Sequence, residues 1–499
     1  MSVKFCKANF IMKKLFFILL SVCFVTGNLP AEIVSKVYRE RFSPDNLNSD
    51  YYKLQMKTAS FFDKQTSAIT GLIESFRNSS NYTYDLVTKS FIIGKGGFLD
   101  TQSFIYDGAV SAIAYLLAGQ YSKAYKLLKI YSKEFYFLKS DKEGLCNAYR
   151  SDLIRTKNGL TNGIDGDRRH LGPNMWVAIA ALQYTAVTSN LEFLEFAIDI
   201  LKWAEQINHF KFQNGQLGAA SMGYGWMPPD WSTVYSTENI LDHYAALSLA
   251  RDIFLYSNKS EVKNYFNKAN YSLKDIEKEL DNIERWLKLL VYDKEKQSFN
   301  MGYSNEKLDK TDALDTVSWA IAAITPEHLE TIGINPFNLF NFAKNQFFVE
   351  DKINGEFFSG YDFTNEEGRN KNYRMIWFEG TCFHIVAIQV LADYAQKTGK
   401  WRLAEQYRDH SKFLLNQVNK AAGIIGLSDG ALPYTSKNPK EKERLLAFNK
   451  NWEIPRGKNG KWVASTSSTA WYLIALSAFN PLHFDRVNVK YSLFSKNKK

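Results

Sequence analysis

Six apolar segments recur along the chain, each rich in alanine, isoleucine, leucine and tryptophan. They span 106–117, 172–184, 236–250, 314–324, 377–392 and 465–478. Their apolar residues lie on nearly every side at helical spacing, which predicts helices that are buried over most of their surface. The segments start 63 to 88 residues apart. This interval exceeds the roughly 20 to 50 residues of a solenoid repeat, so we look for a closed architecture instead.

Six amphipathic segments alternate with the apolar ones. They span 60–77, 121–137, 191–208, 261–291, 337–347 and 401–418. Charges recur on one face, as at Asp275, Lys278 and Glu279, which is typical of a helix with one side in water. Because an inner ring surrounded by an outer ring buries all six apolar helices, we predict an all-α fold, an (α/α)6 toroid of six helical hairpins.

Long irregular stretches precede most of the predicted inner helices, at 140–171, 212–235, 293–312, 352–376 and 421–464. Loops of this length are uncommon in compact domains and are often functional. Since they lead into the N-terminal ends of the inner helices, we expect them to gather at one rim of the toroid. The chain has no glycine/serine-rich or proline-rich linker, so we predict a single toroid domain at 58–485, between an N-terminal arm at 32–57 and a basic C-terminal tail at 486–499.

The first 31 residues have the pattern of a secretory signal peptide. Lys13 and Lys14 precede an apolar run at 15–25, and Ala31 offers a small residue for cleavage. The run is shorter than the about 20 residues that span a bilayer. An uncleaved anchor and lipidation at Cys23 are the alternatives. We predict export to the periplasm or the medium, with no membrane span in the mature chain.

Charge and cysteine content narrow the class of protein further. The chain carries 62 Lys and Arg against 52 Asp and Glu, a net charge of +10. Four of the positive charges lie in residues 1–31, so the mature chain carries +6. The remaining positive charges are scattered, which argues against a nucleic-acid groove. Cys146 and Cys382 are too few for a disulfide framework, and either pair or remain free thiols. We expect a monomer.

Several short motifs resemble the six-hairpin glycosidase-like superfamily over roughly residues 58–480. They are Tyr106-Asp107 at the head of an alanine-rich helix, GPNMW at 172–176, STEN at 236–239 followed by Asp242, Leu314-Asp315 before Ser318-Trp319, and WFEGT at 377–381. The resemblance implies an (α/α)6 barrel and, commonly, hydrolysis of glycosidic bonds by carboxylic acids at the wide mouth. Lyases and non-hydrolytic relatives share this barrel, so the fold alone leaves the reaction open.

Acidic residues lie in the first turns of the predicted inner helices. They are Asp107, Glu238, Asp242, Asp315 and Glu379. The helix dipole favours an anion there by about 0.3–1 kcal/mol, so capping is the alternative to catalysis for each of them. Crowding them at one rim would raise the pKa of at least one, as a general acid requires.

Cleavage of a glycosidic bond needs two carboxyl groups, one that protonates the leaving oxygen and one that activates water or attacks the sugar. We assign the general acid to Glu379, because Trp377 and Phe378 precede it and would shield it from water. Asp107 or Glu238 is the candidate base.

Further residues are candidates for binding the sugar. Acidic and polar side chains would bind hydroxyl groups, and aromatic rings would pack on the apolar faces of sugars. These candidates are Asp315, Asp242, Trp377, Trp226, Trp231, Tyr224, Arg168, His170 and Trp319. The sequence contains no motif that predicts a metal or a cofactor, and we expect neither.

The sequence therefore predicts an exported glycoside hydrolase that acts on a poly- or oligosaccharide. One alternative is a polysaccharide lyase on the same barrel, which needs a Tyr or His base beside Arg; Arg168, Arg169, His170, Tyr224 and Arg374 are its candidates. The other is a non-catalytic glycan-binding envelope protein.

Overall fold

A computed structural model describes residues 51–77, 83–85, 90–92, 99–138, 144–164, 168–225, 230–365, 374–425, 427, 430–439, 454–457, 461–484 and 493. Four sequence predictions lie wholly or largely outside these residues. They are the signal peptide at 1–31, the arm up to residue 50, Trp226, and the tail at 486–499 apart from Leu493.

Twelve helices within the described residues form six hairpins. The outer helices are α1 (Tyr51–Gln65), α3 (Tyr121–Leu138), α5 (Leu194–Glu205), α7 (Leu273–Trp286), α9 (Pro336–Phe347) and α11 (Trp401–Ile425). The inner helices are α2 (Ile105–Leu117), α4 (Leu171–Thr188), α6 (Thr237–Tyr256), α8 (Leu314–Trp319), α10 (Phe378–Lys397) and α12 (Thr466–Leu476). Short π-helical turns, Leu287–Val291 and Ala320–Ile324, extend α7 and α8, and two short helices, Glu261–Lys268 and Pro326–Thr331, complete the set.

The inner helices form a closed ring. Each packs against the next in chain order, from α2 through α4, α6, α8 and α10 to α12, and α12 packs against α2. Each is buried along most of its length, because its apolar residues lie on all sides. The predicted (α/α)6 toroid is therefore confirmed.

A ring of six backbone hydrogen bonds joins the N-terminal ends of the inner helices. In each, the first residue of an inner helix donates its N–H to the loop before the next inner helix. The bonds are Ile105 to Asn147 (2.9 Å), Leu171 to Met222 (2.8 Å), Thr237 to Met301 (2.9 Å), Leu314 to Phe363 (3.0 Å), Phe378 to Tyr434 (3.2 Å) and Thr466 to Ser75 (3.0 Å). All six helix starts and the long loops therefore lie at one rim, as the sequence predicted.

Short antiparallel strands order these loops. Their bounds are Phe76–Arg77, Thr83–Asp85, Ser90–Ile92, Gln102–Phe104, Ala148–Arg150, Arg169–His170, His209–Lys211, Leu217–Ala220, Gly223–Tyr224, Val234–Ser236, Tyr292–Asp293, Ser298–Phe299, Gly302–Ser304, Lys307–Asp309, Phe348–Ile353, Glu356–Tyr361, Leu432–Pro433 and Ala464–Ser465. Half of them run directly into an inner helix or pair with a strand that does, as Arg169–His170 pairs with Gly223–Tyr224 ahead of α4. They therefore hold the residues at the rim in a defined register.

The tenth residue is alanine in every inner helix. These alanines are Ala114, Ala180, Ala246, Ala323, Ala387 and Ala475, and all are buried. A methyl side chain lets neighbouring backbones approach closely, which suits the close packing of adjacent inner helices.

Several predicted helix limits were wrong. The segment at 60–77 is helical only to Gln65, because Thr66 bonds back to the Phe62 carbonyl (2.8 Å) and the chain then turns at Gly71, where φ is +74°. The segment at 261–291 is two helices, since Asn270 has a φ of +51° and Ser272 begins a new helix with a capping box.

Capping, the alternative to catalysis for the acids in the first turns, does not describe Asp107 and Glu379. Side-chain caps occur at Ser236 and Ser465, whereas Phe104 and Trp377 occupy the cap positions of α2 and α10. Within the described residues, no helix has both the length and the apolar character that a bilayer span demands.

Candidate active site

The second residue of each inner helix belongs to a set that we call the rim ring. Its members are Tyr106, Gly172, Glu238, Asp315, Glu379 and Ser467. The structure brings members from separate helices into contact, because the Tyr106 and Ser467 hydroxyls both hydrogen-bond to Glu379. Glu238 and Asp315 are close enough for charge on one to raise the pKa of the other. Acids far apart in the chain therefore share one site.

Two hydroxyl groups hold the Glu379 carboxyl group. The Tyr106 hydroxyl donates to Oε1 and the Ser467 hydroxyl donates to Oε2, each at 2.6 Å. The Trp471 indole N–H donates to the Tyr106 oxygen at 2.8 Å. Because an indole nitrogen only donates, Tyr106 must give its single hydrogen to Glu379. Burial raises the pKa of Glu379 to about 7, while both hydroxyl groups favour its ionised form.

Asp107 lies one residue beyond the rim ring and is almost fully buried. Its carboxyl group faces the hydroxyls of Ser75 and Ser467 and the Ser467 backbone N–H, and all of these favour its charged form. Burial outweighs them and, with the charge on Glu379, raises the pKa of Asp107 to about 7. Asp107 and Glu379 therefore meet at the same serine.

Glu238 is the most exposed of the five candidate acids. Its side chain is half-buried, whereas Asp107, Asp242, Asp315 and Glu379 are each buried. Burial raises the pKa of Glu238 well above its usual range, and charge on Asp315, Asp242 and Glu379 raises it further. Unlike Glu379, it has no hydroxyl donor among the described residues to stabilise its charged form.

Asp315 accepts backbone N–H groups in the first turn of α8. These bonds favour its charged form, but burial has the larger effect and raises its pKa to about 7. Charge on Glu379 acts in the same direction. Asp315 is thus held by the backbone of its own helix and interacts electrostatically with Glu379.

An aromatic floor lies one turn below the rim ring. It consists of Trp176, Trp319, Phe383 and Trp471, which are the sixth residues of their helices. Trp319 lies 4.1 Å from Phe383, 5.4 Å from Trp471 and 5.9 Å from Trp176, measured between ring centroids. These contacts span the toroid axis and close the bottom of the site.

Asp242 is the sixth residue of α6 and thus occupies the same level as the aromatic floor. Burial raises its pKa well above the usual range, although the indoles of Trp176 and Trp319 favour its charged form. Its Oδ1 has no hydrogen-bond partner within the described residues. Asp242 therefore places an acceptor among apolar rings at the base of the site.

Trp377 packs beside Glu379 and is buried. Its ring stacks on Phe363 at 4.0 Å with an interplanar angle of 15°, and its edge meets Phe383 at 5.1 Å. Gly380 permits this packing, since a Cβ there would lie 2.1 Å from the Trp377 ring. Trp377 therefore shields the site from water, which is the role that the sequence suggested for it beside Glu379.

Arg168, His170 and Trp231 cluster at the start of α4. The His170 and Trp231 ring centroids are 4.5 Å apart, and the Arg168 guanidinium lies 5.1 Å from the Trp231 ring. Tyr224 is 36% exposed and donates its hydroxyl to the Gln206 carbonyl at 3.2 Å. Three predicted ligand residues thus lie together, whereas Tyr224 bonds to the protein itself.

Asn147 determines the protonation of His170. The His170 backbone N–H donates to Asn147 Oδ1 at 3.1 Å, so the amide nitrogen must donate to His170 Nδ1, at 2.8 Å. The proton of the neutral ring is therefore on Nε2. Burial, with a smaller effect from Arg168, lowers the pKa of His170 to about 3, so the ring is uncharged at neutral pH.

Sequence reasoning missed Tyr106, Ser467 and Trp471 as members of the site. Tyr106 contacts Glu379 across 273 positions of sequence, and Trp471 contacts Tyr106 across 365. Comparing the inner helices residue by residue from their starts would have found Tyr106 and Ser467, because both occupy the position of Glu238 and Glu379.

The cysteines and the acidic groups of the described residues show no metal or disulfide chemistry. Cys146 and Cys382 are buried free thiols. Within that part of the chain, no set of three or more His, Cys, Asp or Glu side chains is placed to hold a metal ion.

Comparison with solved structures identifies the fold. A glycosidase variant in complex with glucose matches 86% of this chain and 98% of its own, with a TM-score of 0.51 and 9% identity. The wild-type glycosidase matches 87% and 98%, with a TM-score of 0.50 and 10% identity. No protein-family model and no curated protein sequence matches the chain. These matches confirm the (α/α)6 toroid fold that the resemblance predicted.

Proposed function

We propose that this chain is an exported glycoside hydrolase that cleaves a poly- or oligosaccharide with Glu238 as general acid and Glu379 as general base. The observation that carries the proposal is the contrast between the two carboxyl groups at one rim. Glu379 accepts two hydroxyl donors, while Glu238 is half-buried and, within the part of the chain that the structure describes, has no hydroxyl donor to stabilise its charged form. The glycosidases of the same fold support this reading.

The roles differ from those that the sequence suggested. Donors to both oxygens of Glu379 favour its carboxylate, which is the form that a base needs. Charge on Glu379 then helps to keep the proton on Glu238, which is the form that an acid needs. Asp107 becomes a supporting group, because its contacts are with Ser75 and Ser467.

The proposed reaction uses both groups at once. Glu238 gives its proton to the glycosidic oxygen as the bond from that oxygen to the anomeric carbon breaks. Water attacks the anomeric carbon and Glu379 takes its proton, so one water is consumed for each bond cleaved. Asp315 and Asp242 would accept hydroxyl groups of the sugar, and the aromatic floor would pack on its apolar face.

The first test measures reducing ends released from a panel of glycans by the wild type, Glu379→Gln and Glu238→Gln. An exposed acid, Glu295→Gln, is the matched control. We expect at least one glycan to be cut by the wild type and the control, and each rim variant to lose about 100-fold or more. Normal rates in both rim variants would contradict the proposal.

The second test assigns the two roles with aryl glycosides of different leaving groups. A dinitrophenolate leaves without a proton, so Glu238→Gln should recover most of its rate on a dinitrophenyl glycoside and remain slow on an alkyl glycoside. Glu379→Gln should be slow on both, because water must still be activated. If Glu379→Gln instead recovers its rate on the dinitrophenyl glycoside and Glu238→Gln does not, Glu379 is the acid.

The lyase alternative has less support. Arg374 pairs with the buried Asp362 at 3.3 Å and donates to the Gln346 carbonyl, which is a structural arrangement. His170 carries its proton on Nε2, and its other nitrogen accepts from Asn147, so it lacks a lone pair for a base. Products that absorb as unsaturated uronates would nevertheless favour a lyase, and glycan binding without any product would favour a binding protein.

Export rests on the N-terminal pattern of Lys13, Lys14 and the apolar run at 15–25. Mass spectrometry of the protein recovered from an expressing cell should show a chain that begins at Glu32. A full-length chain in the membrane fraction would favour the uncleaved anchor.

A further inference from the structure

Two unpaired N–H groups lie next to each other at the rim, between α4 and α6. They belong to His170, which is 8% exposed, and to Trp231, whose ring centroid is 4.5 Å away. Within the described part of the chain, neither His170 Nε2 nor Trp231 Nε1 has a hydrogen-bond partner. A buried donor without a partner destabilises the fold. Two of them side by side at a candidate active site call for a ligand that supplies acceptors.

Both groups can only donate. Trp231 Nε1 carries a hydrogen at all times. The Asn147 amide donates to His170 Nδ1 and so leaves the hydrogen on Nε2. A ligand at this place must therefore accept two hydrogen bonds with adjacent oxygens, as a carboxylate does.

The local charge also favours an anion. The Arg168 guanidinium lies 5.1 Å from the Trp231 ring and its charge lowers the pKa of His170. The nearby Asp230 carboxylate is directed elsewhere, since it accepts from the Ser232 N–H at 3.0 Å and the Ser232 hydroxyl at 2.7 Å.

The pair is held firmly beside the proposed acid. Strand Arg169–His170 pairs with Gly223–Tyr224. Trp231 packs on Gly225, where a Cβ would lie 2.7 Å from the indole. The turn Trp231–Thr233 runs into strand Val234–Ser236, which leads directly to Glu238.

We propose that His170 and Trp231 form a subsite for the carboxylate of an acidic sugar, so that the substrate is a glycan containing a uronic acid. This inference rests on the proposed glycosidase function and names its substrate class. The carboxylate receives one hydrogen bond from His170 Nε2 and one from Trp231 Nε1. The sugar that carries it lies next to the bond that Glu238 protonates.

The test measures binding of D-glucuronate and D-glucose by calorimetry at equal ionic strength. Neither monosaccharide has a bond to cleave, so the result is independent of turnover. Trp231→Phe removes one N–H and keeps a ring. His170→Asn keeps an acceptor for Asn147 and removes the other N–H. Trp401→Phe is the matched control, because Trp401 is 63% exposed at the start of the outer helix α11.

We expect wild type and Trp401→Phe to bind glucuronate at least about tenfold more tightly than glucose, and each donor variant to lose about tenfold in affinity for glucuronate alone. His170→Gln, whose amide reaches the Nε2 position, should recover part of that loss. Equal binding of the two sugars, no binding of glucuronate, or unchanged affinity in both donor variants would overturn the inference. Circular dichroism at 25 °C checks that each variant is folded.

The subsite and the hydrolase proposal can fail separately. If glucuronate does not bind through these donors, the hydrolase proposal still stands. If the protein binds glucuronate through these donors but cleaves no glycan, the subsite is supported and the hydrolase proposal is refuted.

Discussion

Replacing Asp107 with asparagine tests whether burial keeps the carboxyl group of this residue protonated. Burial raises the pKa of Asp107 from 3.8 to about 7 in the folded chain. Between these values the folded state binds a proton that the unfolded state has released. The stability that the protonated group contributes is therefore present below the unfolded pKa, falls as pH rises, and is lost above about 7.

The magnitude follows from the size of that shift. The two pKa values differ by about three units, and one unit corresponds to 1.36 kcal/mol. Well above pH 7, ionising Asp107 thus lowers the free energy of unfolding by about 4 kcal/mol. The part of this loss that falls between pH 5 and pH 8 is about 2–3 kcal/mol. Asparagine has no proton to lose and a similar shape, so Asp107→Asn removes this dependence.

The assay is urea unfolding of wild type and Asp107→Asn at pH 5 and pH 8, followed by tryptophan fluorescence. Asp107→Asn should gain about 2–3 kcal/mol relative to wild type on going from pH 5 to pH 8, whatever their difference at pH 5. Glu295→Gln, an exposed acid on a loop, should track the wild type. If wild type and Asp107→Asn lose stability in parallel, the carboxyl group is already ionised in the fold and the reasoning is refuted.

Three further substitutions probe the site and its support. Tyr106→Phe removes a donor that favours the charged form of Glu379, so the acidic limb of kcat/KM should move to higher pH, and an unmoved limb would deny Tyr106 this role. Gly380→Ala places a Cβ 2.1 Å from the buried Trp377 ring, so it should lower the Tm measured by calorimetry, and an unchanged Tm would mean that the ring moves freely. Ala246→Leu adds bulk at a fully buried position of α6, so it should cost about 1–3 kcal/mol in urea unfolding, and a neutral result would show spare volume around this residue.

The fold could be predicted from the sequence because local pattern and global architecture agree. Apolar helices without a solvent-exposed face need neighbouring helices on all sides. Because they alternate with amphipathic helices along the chain, an inner ring surrounded by an outer ring satisfies this requirement. Local limits were less predictable. A helix over 60–77 has a plausible pattern, yet it ends at Gln65, because Thr66 bonds back to Phe62 and Gly71 adopts a positive φ. Such contacts depend on single side chains, so the spacing of apolar residues along the sequence does not predict them.

The candidate acids could be placed at one rim, but their roles could not be read from their own neighbourhoods. Trp377 and Phe378 suggested that Glu379 is shielded and protonated. The structure adds Ser467 from the neighbouring helix α12 and Tyr106 from α2, and Tyr106 meets Glu379 because the ring closes. These two donors reverse the preference that the apolar residues adjacent in sequence imply.

The same closure explains how one level of the toroid brings the proposed catalytic groups together. The rim ring takes one residue from each inner helix, so an acid, a hydroxyl or a glycine at the second position acts on groups from other helices. Glycine at 172 lets Asn239 and Asp242 approach α4, since a Cβ there would lie 2.7 Å and 2.8 Å from their oxygens. Without that approach, Asp242 could not occupy the level of the aromatic floor. The position that lacks a side chain is thus as much a part of the candidate site as Glu238, and an alanine at 172 should displace Asp242 without touching either proposed catalytic group.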